Sequence, residues 1–207
     1  MLVWGAAPPM QKAPEAPLPF DKMEGPFASL DAACAGCREM KAVDKPAAPF
    51  LDVRVVVSGR PDRPGTRDVP HVHFLAVRLP SGWWRREVGT ETAHDGSYVS
   101  VYENRVETAD VLPGGGAEVL VETRNETRGN LPPEMDGRPV HFDRGTLHLC
   151  GVGRSGQPSC TWVETYRFAG SASGMWDGRV TFRRDGTIVS ANKARSEPER
   201  RYVVRFP

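Results

Sequence analysis

From residue 50 to its end the chain alternates apolar and polar residues with a period of two. Successive side chains of a strand point to opposite faces, so this pattern demands half-buried strands and leaves no room for a run of helices. Leu51, Val53, Val55 and Val57 form one face, with Asp52 and Arg54 opposite. His71, His73, Leu75, Val77 and Leu79 share another face, backed by Val72, Phe74 and Ala76. Pro80-Ser81-Gly82 then turns the chain into 83–88, which predicts a hairpin over 71–88. Further strands are read at 97–106, 119–121, 147–150, 160–168, 180–182, 188–189 and 202–206, and Asp185-Gly186 is a hairpin turn. Roughly eight to ten short strands at such spacing predict an all-β fold, an antiparallel sandwich or open barrel, and exclude a parallel α/β fold.

The first quarter of the chain follows other rules. Six of the 19 prolines lie in residues 1–26, which predicts a disordered tail or leader remnant there. Phe27, Leu30, Cys34, Cys37 and Met40 or Lys41 recur at three-to-four spacing. They predict a helix over 27–43, capped by Ser29 or Asp31 and ended by Pro46 and Pro49. The organisation expected is therefore a tail at 1–26, a short helix and linker at 27–49, and a single all-β domain at 50–207. With 39% hydrophobic residues in 207 the chain has material for an ordinary core.

The four cysteines fall in two close pairs, Cys34-Ala35-Gly36-Cys37 and Cys150 with Cys160, the latter bracketing a glycine-rich turn at 151–159. An even count with one pair flanking a hairpin predicts disulfides and an oxidising compartment. The pairing expected is 34 with 37 and 150 with 160; crossed pairings, which would staple the helix to the sheet, remain open. A thioredoxin-type redox centre would need a preceding βα unit, and a four-cysteine zinc site a closer second pair. The compartment expected is secreted or periplasmic. Leu2-Val3-Trp4 is too short for the apolar part of a signal peptide, and whether a leader lies upstream of Met1 stays open. No apolar run approaches the length of a membrane span.

His71-Val72-His73 places two imidazoles side by side on one strand face. A metal-dependent hydrolase would need a third ligand there, from His94, His141 or His148; the ordinary alternative is the polar end of an apolar face. Trp83 and Trp84 follow a tight turn, and adjacent strand residues face opposite ways, so one of them is a candidate exposed platform for a carbohydrate or peptide. No Gly-x-Ser-x-Gly elbow occurs: Gly170–Gly174 and Gly153-Arg154-Ser155-Gly156 read as loops. Asn125-Glu126-Thr127 is a formal glycosylation sequon, read as a polar turn. The end of the chain is basic, with Arg183, Arg184, Lys193, Arg195, Arg200, Arg201 and Arg205. It reads as a solvated edge that deters strand pairing, since no nucleic-acid module pattern accompanies it.

Residues 108–121, with Asp110, a glycine-rich turn at 114–116, Glu118 and the apolar Val119-Leu120-Val121, resemble a single FG-GAP or VCBS-type strand unit. Such units recur in β-propellers that bind calcium or partners. A single copy without the second turn carboxylate implies only a hairpin.

The reading that follows is a non-enzymatic secreted or periplasmic β-domain with a structural or binding role at the cell envelope, without a cofactor. Its expected partner is a protein or glycan, not nucleic acid. The alternatives are a carbohydrate- or peptide-binding module using Trp83 or Trp84, and a metal-dependent hydrolase using His71 and His73.

Overall fold

The computed structural model describes residues 15–59, 70–94, 97–114, 116–130, 139–169, 176–192, 199–204 and 206. The chain opens with three short strands, β1 (Glu15–Pro17), β2 (Asp21–Lys22) and β3 (Glu24–Phe27), then α1 (Leu30–Ala33) and β4 (Arg38–Ala42). The body follows as β5 (Asp52–Val57), β6 (His71–Leu79), β7 (Gly82–His94), β8 (Ser97–Ala109), β9 (Glu118–Asn130), β10 (Pro139–Val152), β11 (Pro158–Ala169), β12 (Trp176–Phe182), β13 (Thr187–Asn192) and β14 (Arg200–Val203).

From β4 to β14 each body strand pairs antiparallel with the next, and β1 adds to β14 in parallel. The path does not close on itself, so the fold is a sandwich-like all-β arrangement rather than a barrel. Its layers are read from the core. Val53, Val55, Leu75, Val77, Trp84 and Val88 of β5–β7 pack against Val119, Val121, Cys150 and Cys160 of β9–β11. The opposite face of β9–β11 offers Leu120, Leu147, Leu149 and Val163, which pack with Ile188 of β13 and Val204. Both faces of β9–β11 are thus covered. Each fully buried Leu or Ile there contributes roughly 1.5–3 kcal/mol.

Two strands make the passages between layers. β7 pairs with β6 along most of its length but with β8 only through 92–94. A bulge opposite His73 and Phe74 leaves Val88 unmatched at the bend. Gly89 sits beside it, where a Cβ would lie 2.8 Å from Val101 Cγ1, so the approach of β8 excludes a side chain. β11 behaves alike, pairing with β10 throughout and with β12 only at Tyr166 and Arg167.

Each passage leaves half an edge open, and the N-terminal segment fills much of it. β3 lies on β7 at Trp83 and Arg85, and β2 on β11 at Ser159 and Cys160. Ion pairs between Arg86 and Asp21 (2.5 Å) and between Arg85 and Glu24 (2.8 Å) fasten them, and Met23 is buried in the first core. The described part of the segment expected to be a disordered tail is therefore extended, as its prolines require, but docked. Residues 1–14 of that expectation lie outside the described residues.

The helix expected over 27–43 is a single turn. Ser29 Oγ caps it by accepting from the Ala32 N–H at 3.0 Å. Cys34 leaves the helix at φ −153° and Gly36 adopts φ +68°. The chain thus turns, and residues 38–42 pair with β5 instead. Strand pairing satisfies the backbone groups that β5 would otherwise expose, which overrides a weak local periodicity.

Gly25 holds β3 in place. Its φ is +141°, and a Cβ there would lie 2.6 Å from the Trp83 carbonyl oxygen. Gly25→Ala is expected to lower the unfolding free energy by roughly 1–3 kcal/mol and to red-shift tryptophan emission as Trp83 is uncovered. Urea denaturation checks this; an unchanged midpoint would show that β3 is not held against β7.

Candidate functional site

His71 and His73 lie on the inward face of β6, as the alternation predicts, and both are buried. Their partner is Glu91 of β7. His71 Nδ1 is 3.4 Å from one carboxylate oxygen and His73 Nε2 is 3.7 Å from the other. The Val101 N–H of β8 also donates to Glu91 at 3.1 Å. The His73 contact, with help from Val101 and His71, holds the Glu91 carboxyl below its ordinary range despite burial. The group that meets the pair is a carboxylate, where the metal-dependent reading expected a third histidine. Among the described residues their donor atoms do not gather at the spacing of a metal set. His94's side chain lies outside the described residues. His141 and His148 have other partners.

His148, on β10, faces the first core. Thr123 Oγ1 lies 3.4 Å from its Nε2. Burial, then the nearby Arg86 charge, pushes its pKa down to about 4, opposed only in part by the Val88 carbonyl. The ring is neutral at pH 7 and works as a packing group between Thr123 and Val88.

Neither expected tryptophan is a platform. Trp84 is 6% exposed in the first core, with Nε1 donating to Ser81 Oγ at 3.3 Å. Trp83 is 8% exposed and covered by Phe27, Leu30 and Ala33, residues of β3 and α1. Among the described residues the exposed tryptophan is Trp162, at 38%. It lines a groove of about 310 Å³ with Leu18, Arg144, Glu164, Arg200 and Tyr202. The Arg144 guanidinium stacks 4.9 Å from its ring centroid. Glu164 bridges two cations, 3.6 Å from Arg144 Nε and 3.1 Å from Arg200 Nη1.

The reason for this exposure is topological. Residues 161–165 of β11 lie between the stretch covered by β2 and the stretch paired with β12. Among the described residues no strand pairs with that edge; the Ser190 hydroxyl reaches the Glu164 carbonyl at 3.4 Å. Period two alone puts Trp162 on the face of Cys160, so its exposure is not legible in the local pattern. Two wider depressions, of about 610 and 660 Å³, border β3. The arginines of the first, Arg85 and Arg86, are engaged by Glu24 and Asp21 in docking β3 and β2.

A second polar group lies on β9 and β10. Asp143 is 1% exposed, and Arg124 Nε donates to both of its oxygens at 2.8 Å while Nη2 donates to Oδ2. Glu126 and His141 stand beside it, 3.3 Å apart. The alternation shows that Glu126 and Asp143 share faces within their own strands, but only the register brings them together.

The remaining motifs have structural explanations. Glu118 accepts from the Val111 and Leu112 N–H groups at 3.0 and 3.4 Å, closing the glycine-rich loop between β8 and β9; burial pushes its carboxyl up. This is the hairpin that the strand-unit resemblance implies. Asn125 lies mid-strand in β9, not in a polar turn, with its Oδ1 enclosed. Arg200 and Arg201 of the basic end pair with Glu164 and Glu199, while Lys193, Arg195 and Arg205 lie outside the described residues, as does the 170–174 loop. The cysteines lie as two pairs at disulfide distance, 34 with 37 and 150 with 160, with Cα separations of 5.5 and 4.0 Å. No protein-family model, curated protein or solved structure matches the chain.

His148 yields a pH prediction. Its pKa in the fold is below the ordinary 6.5, so the stability it carries is present above pH 6.5 and is lost as pH falls toward 4. The loss attributable to this one group is up to about 3 kcal/mol. His148→Gln should flatten the fall in unfolding free energy between pH 7 and 4 by that order. Parallel pH profiles of the two proteins would refute it.

Proposed function

We propose that this is a non-enzymatic extracytoplasmic protein with a binding role at the cell envelope, and that it takes an extended peptide segment of a partner protein along β11 beside Trp162. The observation that carries this reading is the interruption of edge pairing at 161–165, next to the exposed Trp162. An extended segment adds to such an edge through backbone hydrogen bonds, while alternate side chains find pockets. Five residues of strand span roughly 17 Å, enough for one short motif. Trp162 supplies a large rigid contact, and Arg144, Arg200 and Glu164 supply charge at its margin; tryptophan and arginine are favoured anchors of interfaces.

The compartment reading is supported by the two cysteine pairs at disulfide distance, which suit an oxidising environment. No helix among the described residues is long and apolar enough to cross a membrane.

Two measurements test this. Protein isolated from its own cells with thiols trapped at lysis should show almost no free thiol after denaturation without reductant; four free thiols would overturn the compartment reading. Selection from a library of short extended peptides should yield binders that Trp162→Ala weakens by on the order of thirtyfold, with an unchanged melting temperature. Glycans binding in place of peptides, or binders indifferent to Trp162, would sink the peptide reading.

A further inference from the structure

We propose that Glu126, His141 and Asp143 form a binding site for a divalent transition ion of the zinc class, separate from the Trp162 groove. The three residues occupy two neighbouring strands. Asp143 pairs directly with Glu126, and His141 lies two residues before Asp143, so the pleat presents all three on one face. One ligand atom from each lies within 4.8 Å of the others. His141 Nε2 and Glu126 Oε1 are 3.3 Å apart. Two donors bound tetrahedrally at about 2.0–2.1 Å from zinc stand roughly 3.3–3.4 Å apart, so this edge of the tetrahedron is already set.

The site's rigidity comes from strands rather than loops. The His141 ring packs against Phe168 of β11, with centroids 5.2 Å apart, which restricts its rotation. Asp143 is an independent sign of a built site. Elsewhere the same face of β9 and β10 takes Leu120, Leu147 and Leu149, yet here it carries a carboxylate that the fold encloses almost completely. A buried ion pair is weak as a stabiliser, because desolvation offsets much of the attraction. Stability alone therefore does not account for an aspartate at this position.

Arg124 meets that carboxylate side-on with its guanidinium. It places two N–H contacts on Oδ2 and one on Oδ1, which leaves lone-pair capacity on Oδ1 for a cation. Its guanidinium rests on the Tyr166 ring, 4.9 Å from the centroid, and the side chain is half exposed. It can therefore swing toward solvent as positive charge arrives. Imidazole with two carboxylates favours a zinc-class ion over calcium or magnesium, which prefer all-oxygen shells. Three protein donors leave a fourth position for water or a ligand atom.

The test uses the full chain, stripped with chelator and desalted, titrated with zinc alone by calorimetry at pH 7. Cobalt(II) absorption in the visible region gives an independent readout of tetrahedral coordination. The expected result is about one equivalent bound, with a tetrahedral cobalt spectrum, weakened at least about tenfold by His141→Gln and by Glu126→Gln. His141 is exposed and Glu126 lies at the margin, so both variants should keep the parent melting temperature in chelator. No saturable zinc binding by the parent protein would overturn the proposal and leave the cluster as an ion-pair network. Binding that survives both substitutions would overturn it as well, by placing the ion elsewhere.

Discussion

Strands β7 and β11 each leave one sheet and enter another, and the consequences of those two passages run through the molecule. A strand that changes partners along its length keeps one edge satisfied and splits the other between two neighbours. Backbone groups along the uncovered part must be met by something, because burying them unpaired costs as much as a lost hydrogen bond. At β7 the answer is β3, and at β11 it is β2. The proline-rich segment suits this role: it cannot form a helix or a central strand, but it can add short extended pieces to an edge. Where that cover runs out, at 161–165, no strand among the described residues pairs with the edge beside Trp162, and the groove lies there.

Several of the enclosed ionisable groups sit where strands or layers meet. Glu91 ties the end of β7 to β8 through the Val101 N–H while two histidines of β6 flank it. Glu118 closes the loop that carries β8 into β9. His148 fills the space between β7 and β10 as a neutral ring. Each meets specific partners at a point where backbone direction or layer changes, and apolar side chains take over between those points. Asp143 differs, since it lies mid-ladder with its charge met by a partly exposed arginine. That difference sets it apart as a ligand-binding candidate.

Much of the body of the fold was legible from residue types. The inward faces of β5 and β6, the turn at 80–82, the hairpin around Asp185-Gly186 and the pairing of Cys150 with Cys160 are all local consequences of period two and turn chemistry. What the N-terminal residues do was not legible. Their spacing read as a helix over 27–43, while edge pairing drew 38–42 into β4 and left one capped turn. The site was less legible still. Adjacency alone makes one of Trp83 and Trp84 look exposed, yet β3 and α1, distant in sequence, cover the outer one.

The sequence by itself determined that this chain builds antiparallel strands, where most of them turn, which residues face inward and which cysteines stand close. These follow from dihedral preferences and side-chain alternation, which act over a few residues. Only the tertiary structure decided which edges stay open, which tryptophan meets solvent and which carboxylates meet an imidazole. Those outcomes depend on the register between strands and on where one layer stops covering another. Residues distant along the chain set both, so no local pattern encodes them.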